Sequence, residues 1–249
     1  LVCEAEAKSY PADTAFNEQG KEPVVAVDLG EVKQISEIRI FNRTDCCAER
    51  ARTIEVWLSN DGARWKRIFA NNGTITHTDG ALLLNASSTI SNHGTWPESS
   101  GATISSTGDL QGLVENTGAF IKTGASTTTF DFYNSPRFSN TGTVDVQQGT
   151  LQLNHSLAQH SGSTLTGGTW IVRNGASLRE DNTTNYLSNQ ANVTLHGTGD
   201  YTPLNSISTN AGTLRLLDGK VWSTAATFTN SGTLVIGAGS SFSTTSTFA

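Results

Sequence analysis

The sequence predicts an all-β chain in two parts: a small antiparallel β unit over residues 1–75 and a parallel β-helix over residues 76–249. Three observations carry this. An Asn-x-Gly step recurs at Asn92-His93-Gly94, Asn116-Thr117-Gly118, Asn140-Thr141-Gly142, Asn210-Ala211-Gly212 and Asn230-Ser231-Gly232. Short runs with an apolar-polar-apolar beat follow these steps, among them Val144-Asp145-Val146, Leu214-Arg215-Leu216 and Leu234-Val235-Ile236. Near Asn71-Asn72-Gly73 the composition shifts: ten of the sixteen Lys and Arg lie before residue 75, and Gly, Ser, Thr and Asn dominate after it.

In the first part, residues 1–21 carry Pro11 and a polar run and predict irregular structure. Residues 24–29 alternate, with Val25, Val27 and Leu29 on one face, as a half-buried strand does. Residues 35–41 and 53–58 also read as strands, the second with Ile54, Val56 and Leu58 in phase and Trp57 out of phase. Asp61-Gly62 is a two-residue hairpin signal, because such turns need positive φ. Residues 64–70 then return as the antiparallel partner.

In the second part the asparagine spacings are 24, 24, 70 and 20 residues. The long gap spans about three repeats and holds the weaker matches Gly168-Thr169-Trp170 and Asn192-Val193-Thr194-Leu195. Leu151-Gln152-Leu153 repeats the apolar beat half a period later. A fixed period of this length is the mark of a solenoid in which each repeat forms one coil. At about 4.8 Å per coil, roughly eight coils make a rod of about 40 Å. Asn92, Asn116 and Asn140 are expected to stack at one corner as an amide ladder. Asn and Gly would there supply the left-handed backbone of a sharp corner. An antiparallel sandwich is the alternative, and the long period counts against it.

The densest chemistry lies in residues 42–50, a loop between two predicted strands. Arg43 and Arg50 offer rigid forks of N–H donors, and Asp45 can orient a guanidinium or accept from a hydroxyl. The bland alternative is a solvated ion-pair cluster that includes Glu49 and Arg52. Cys46 and Cys47 are adjacent, and their Cα separation of about 3.8 Å is shorter than most disulfides take. A vicinal bridge, two free thiols and a bond to Cys3 all remain open from chemistry alone.

Val27-Asp28-Leu29-Gly30, Ile38-Arg39-Ile40 and the run from Asn42 through Arg43, Asp45, Cys46 and Cys47 to Arg50 resemble the F-type, fucose-binding branch of the discoidin (factor 5/8 type C) domains. Ser59-Asn60-Asp61-Gly62 with Trp65 is similar to a hairpin of the wider family. The resemblance covers roughly residues 22–73, about half of such a domain. It implies a partial discoidin-like unit whose Arg-x-Asp-x4-Arg pattern, here Arg43, Asp45 and Arg50, contacts a sugar. It also implies a Cys46–Cys47 disulfide packed against that sugar. The family places a histidine 25 residues before the first arginine. This sequence has Glu18 there, which could accept from a hydroxyl where histidine would donate. Roughly residues 90–249 resemble, in style of repeat, the β-helical stalks of bacterial surface adhesins and autotransporter passengers. The joint implication is a carbohydrate-binding protein at the cell surface or outside the cell.

The net charge of −6 counts against a nucleic-acid partner. No run of 18 apolar residues predicts a membrane span. The chain starts at Leu1 and has no methionine, and we expect it to be part of a longer parent chain. Three cysteines, all before residue 48, are too few for a disulfide scaffold. A β-helical polysaccharide lyase is the enzymatic alternative. Its carboxylates would need to cluster, whereas Asp131, Asp145, Glu180, Asp181, Asp200 and Asp218 are scattered. His155 and His160 lack a third metal ligand in sequence. We therefore expect no catalytic site, no cofactor and no metal, and a carbohydrate such as fucose or a related sugar as ligand. A purely structural surface protein is the competing reading.

Overall fold

The computed structural model describes residues 68–84, 89–106, 112–132, 138–154, 157–181, 185–224 and 227–248. These form a parallel β-solenoid with a single short 3-10 turn, Thr202–Ser206, and no α-helix among the described residues. A typical coil places one short strand on each of three faces. The second face is the longest and is a seven-stranded sheet running from Thr95–Glu98 to Thr233–Ile236. The third face carries six strands, from Leu82–Leu84 to Asp200–Tyr201. Val221–Thr224 and Ser241–Thr244 pair separately further along. Parallel neighbours need a crossover of a dozen or more residues, and here the other two strands of each coil supply it.

The first coil starts at Ile68–Asn71, which pairs in parallel with Thr89–Asn92. Of the predicted strand at residues 64–70, the described end from Ile68 is a strand and forms part of the solenoid; its expected antiparallel partner at residues 53–58 lies outside the described residues. The one antiparallel pairing among the described residues is local, between His160–Ser161 and Thr164–Leu165.

Alternation along each strand fills the interior. On the second face Trp96, Phe120, Val144, Trp170, Val193 and Leu214 lie in register from coil to coil and are fully buried. Ile104, Phe130 and Phe138 meet them from the other faces. The rings pack edge-on or tilted, with centroids 5.3 Å apart for Trp96–Phe120, 5.5 Å for Phe120–Phe130 and 4.8 Å for Phe130–Phe138. Such pairs contribute about 0.5–1.5 kcal/mol each beyond the area they bury.

The asparagines stack as the sequence suggests. Asn92 Nδ2 donates to Asn116 Oδ1 at 2.7 Å, and Asn116 Nδ2 to Asn140 Oδ1 at 2.8 Å. The ladder starts one coil earlier, where Asn71 donates to Asn92 at 2.7 Å. A second ladder runs Asn189 to Asn210 at 2.8 Å and Asn210 to Asn230 at 2.7 Å. Between them Leu165 occupies the ladder position, in register with Asn189. There the Asn140 backbone N–H donates to Gln159 Oε1 at 2.9 Å, and Asn140 Nδ2 turns to the Thr169 carbonyl at 3.2 Å.

The glycine of the step has a different cause from the one expected. None of Gly94, Gly118, Gly142, Gly212 or Gly232 has positive φ. A Cβ on Gly118 would instead lie 2.1 Å from the Gly94 carbonyl oxygen, and one on Gly142 2.3 Å from that of Gly118. The preceding coil leaves no room for a side chain.

Candidate functional site

The residues singled out in the loop, Arg43, Asp45, Cys46, Cys47 and Arg50, and with them Glu18, lie outside the described residues. Within the described solenoid, the polar chemistry concentrates at a few points.

The first is the corner that ends the second face. His77, Glu98 and Lys122 occupy equivalent positions in three successive coils, and Val146 follows them in register. Alternation turns Glu98 inward because Trp96 is inward, and Lys122 inward because Phe120 is inward. Glu98 and Lys122 are fully buried. Burying a carboxylate is costly unless hydrogen bonds and a countercharge accompany it. His77 Nδ1 meets Glu98 Oε2 at 2.7 Å. Trp96 Nε1 donates to the same oxygen at 3.2 Å, and the Ser100 backbone N–H to Oε1 at 2.9 Å. The Ser100 and Thr128 hydroxyls complete the shell. Desolvation pushes the Glu98 carboxyl up, but the His77 and Ser100 bonds outweigh it and hold it below its ordinary range. Burial alone would lower the His77 imidazole; the bond to Glu98 and its charge, with the Gly80 carbonyl, raise it overall. Lys122 donates to the Gly124 carbonyl, and desolvation lowers its ammonium against the pull of Glu98.

The second is Glu180. It ends the strand Ser177–Glu180 and is buried, because it falls on the inward phase set by Leu178. Tyr186 and Tyr201 hydroxyls donate to it at 2.8–2.9 Å. Burial raises this carboxyl and both phenols. The third is Asp145, which receives Arg173 Nε at 2.9 Å and a second guanidinium nitrogen at 2.8 Å. His196 and Asp218 form an exposed pair at 2.6 Å.

Each of these carboxylates is engaged by its own neighbours. Among the described residues no group of three or more His, Cys, Asp and Glu is placed to hold a metal ion. His160 sits in the short hairpin, its Nε2 2.7 Å from the Gly162 carbonyl oxygen, and His155 lies outside the described residues. The period-2 alternation of residues 95–98 and 119–122 was the available signal for Glu98 and Lys122; His77, with no strand of its own, left no such signal.

Residues 12–91 match a family model described as a NedA-like, galactose-binding domain of the F5/F8 type C kind. The matched stretch includes Glu18 and the whole loop 42–50, and it extends over the first solenoid strands as far as Ser91. The comparisons with curated proteins and with solved structures gave no match. Fold and comparison together define a β-solenoid with a stretch similar to galactose-binding F5/F8 type C domains at its N-terminal side.

Proposed function

We propose that the chain binds a carbohydrate through the loop at 42–50 and carries that site on a β-solenoid, as a protein of the cell surface or the extracellular space. The observation that supports this most is the match of residues 12–91 to a galactose-binding family model, across the stretch that holds the Arg-x-Asp-x4-Arg pattern. Arg43 and Arg50 would donate to sugar hydroxyls, with Asp45 orienting them. A Cys46–Cys47 bridge would offer a small apolar contact to the C–H face, and Glu18 would accept from a further hydroxyl. A sugar needs such fixed polar groups beside an apolar patch. Fucose and galactose are the ligands that the loop pattern and the family description respectively favour. The solenoid fits a surface repeat protein, and its buried carboxylates Glu98, Asp145 and Glu180 are occupied by structural partners, which favours binding over catalysis.

Calorimetric titration of the full chain with galactose and with fucose tests the reading. Saturable binding of either, weakened when the cysteines are reduced, is the expected result. Absence of binding to both at high concentration would leave the solenoid as a structural surface element.

A further inference from the structure

We propose that His77 and Glu98 form a proton-operated latch that fastens the chain between Asn71 and Leu82 to the body of the solenoid.

This stretch is the weakest part of the second face. From the second coil on, the second face carries strands of four or five residues, whereas the first coil has only two isolated bridges there, Thr74 to Thr95 and His77 to Glu98. Pro97 is part of the reason. Coil by coil, backbone N–H groups of the second face donate back to the preceding coil, as Thr95 does to the Gly73 carbonyl at 2.8 Å and Ser99 to that of His77 at 3.0 Å. Pro97 stands between them and has no N–H to give. In the other direction Ile75 donates to Thr95 at 2.9 Å, while the His77 N–H reaches the Pro97 carbonyl only at 3.5 Å. A side-chain bond takes over where the backbone is thin.

The geometry suits a protonated imidazole at that bond, and the Ser100 hydroxyl lies 3.3 Å from the same His77 Nδ1. His77 Nδ1 lies 2.7 Å from Glu98 Oε2, and Nε2 lies 2.7 Å from the Gly80 carbonyl oxygen. Both partners are acceptors, and a neutral imidazole has only one N–H, so the ring satisfies both as imidazolium. Glu98 in turn is surrounded by donors from Trp96, Ser100 and Thr128, which suits an ionised carboxylate. The other charged groups described here are Asp79, beside His77 on the same segment, and Lys122, one coil further on, which points to the Gly124 carbonyl. When His77 loses a proton, one of its two bonds is lost. Among the described residues Glu98, fully buried, then keeps only Lys122 as a countercharge.

The pH window follows from the two partners. His77 is raised above its ordinary 6.5, so its contribution is complete below 6.5 and disappears as pH rises through the raised value. Glu98 is lowered below its ordinary 4.5, so its contribution is complete above 4.5 and disappears as pH falls through the lowered value. The latch is closed between these limits and opens on the alkaline side when His77 deprotonates.

Proton NMR of the His77 ring and amide hydrogen exchange, recorded on the full chain across the alkaline transition, test this. His77 should titrate above 6.5. Protection of the Ile75 and Ser99 amides should fall by about tenfold or more in step with it, the size of a lost charged hydrogen bond. Protection of Ala119 and Thr143, deeper in the ladder, should hold. His77→Gln should remove the pH step. Glu98→Gln should bring the His77 titration down. The latch is overturned if His77 titrates at or below 6.5 in the parent, if protection falls at a pH unrelated to that titration, or if the step persists in His77→Gln.

Discussion

Asn116 illustrates what one ladder residue holds together. Its Nδ2 donates to Asn140 Oδ1 and to the Thr143 carbonyl, and its Oδ1 accepts from Asn92. Asn116→Leu removes the acceptor that Asn92 Nδ2 uses and the donor that Asn140 Oδ1 uses, both in the buried interior. Each such group costs about 1–3 kcal/mol, so urea unfolding should show a loss of at least about 2 kcal/mol. Asn230→Leu should cost visibly less, because Asn230 is only half-buried. Equal losses at the two positions would count against the ladder as a source of stability. The neighbouring glycines offer a sharper comparison. Gly118→Ala forces a Cβ to within 2.1 Å of a carbonyl oxygen of the preceding coil, and backbone must move. A loss of about 1–3 kcal/mol is expected. At Gly167 a Cβ meets nothing within 4 Å and φ is not positive, so Gly167→Ala should be neutral or raise stability by up to about 1 kcal/mol. The Asn-x-Gly spacing was readable from the sequence; the reason for its glycine was not, because the clash is with a residue 24 positions away.

At the scale of the coil, the periodic signal succeeded at the five complete steps read as repeats and failed where the coil departs from the step. Asn71-Asn72-Gly73 has the full step and opens the ladder, yet it reads equally well as a polar boundary between two compositions. Asn189 was hidden because Ala191 replaces the glycine, which left Asn192 as the nearest match; Asn192 in fact starts the next strand. The coil between the two ladders departs further. From its ladder position, Leu165, to the start of its second-face strand at Thr169 it runs four residues, where the next coil takes three from Asn189 to Asn192. Glu180 lies in that coil. Its carboxyl is raised by burial, so its ionisation opposes folding as pH increases from about 4.5 through the raised value. Glu180→Gln keeps an acceptor for Tyr186 and Tyr201 and removes that charge. Its stability relative to the parent, followed by urea unfolding, should therefore improve as pH rises over that interval and then level off. A difference independent of pH would mean that the carboxyl is ionised without penalty in the fold.

At the scale of the whole molecule, two kinds of signal were read from the sequence. The solenoid declared itself through repetition, since many coils repeat one solution to the same packing problem. The binding loop declared itself through residue type alone, and such a signal gives no geometry: two arginines, an aspartate and paired cysteines say which chemistry is present, not how it is arranged. The family match over residues 12–91 adds weight to the carbohydrate reading without placing any side chain. The measurement that bears most directly on it is the affinity of the full chain for galactose and fucose beside that of Arg43→Ala and Arg50→Ala, with circular dichroism establishing that the solenoid is intact in each. A hydrogen bond from a charged group contributes about 1.5–3 kcal/mol, so each substitution should weaken binding by about tenfold or more. Sugar binding of the same strength in both variants and the parent would contradict the assignment of the site to this loop.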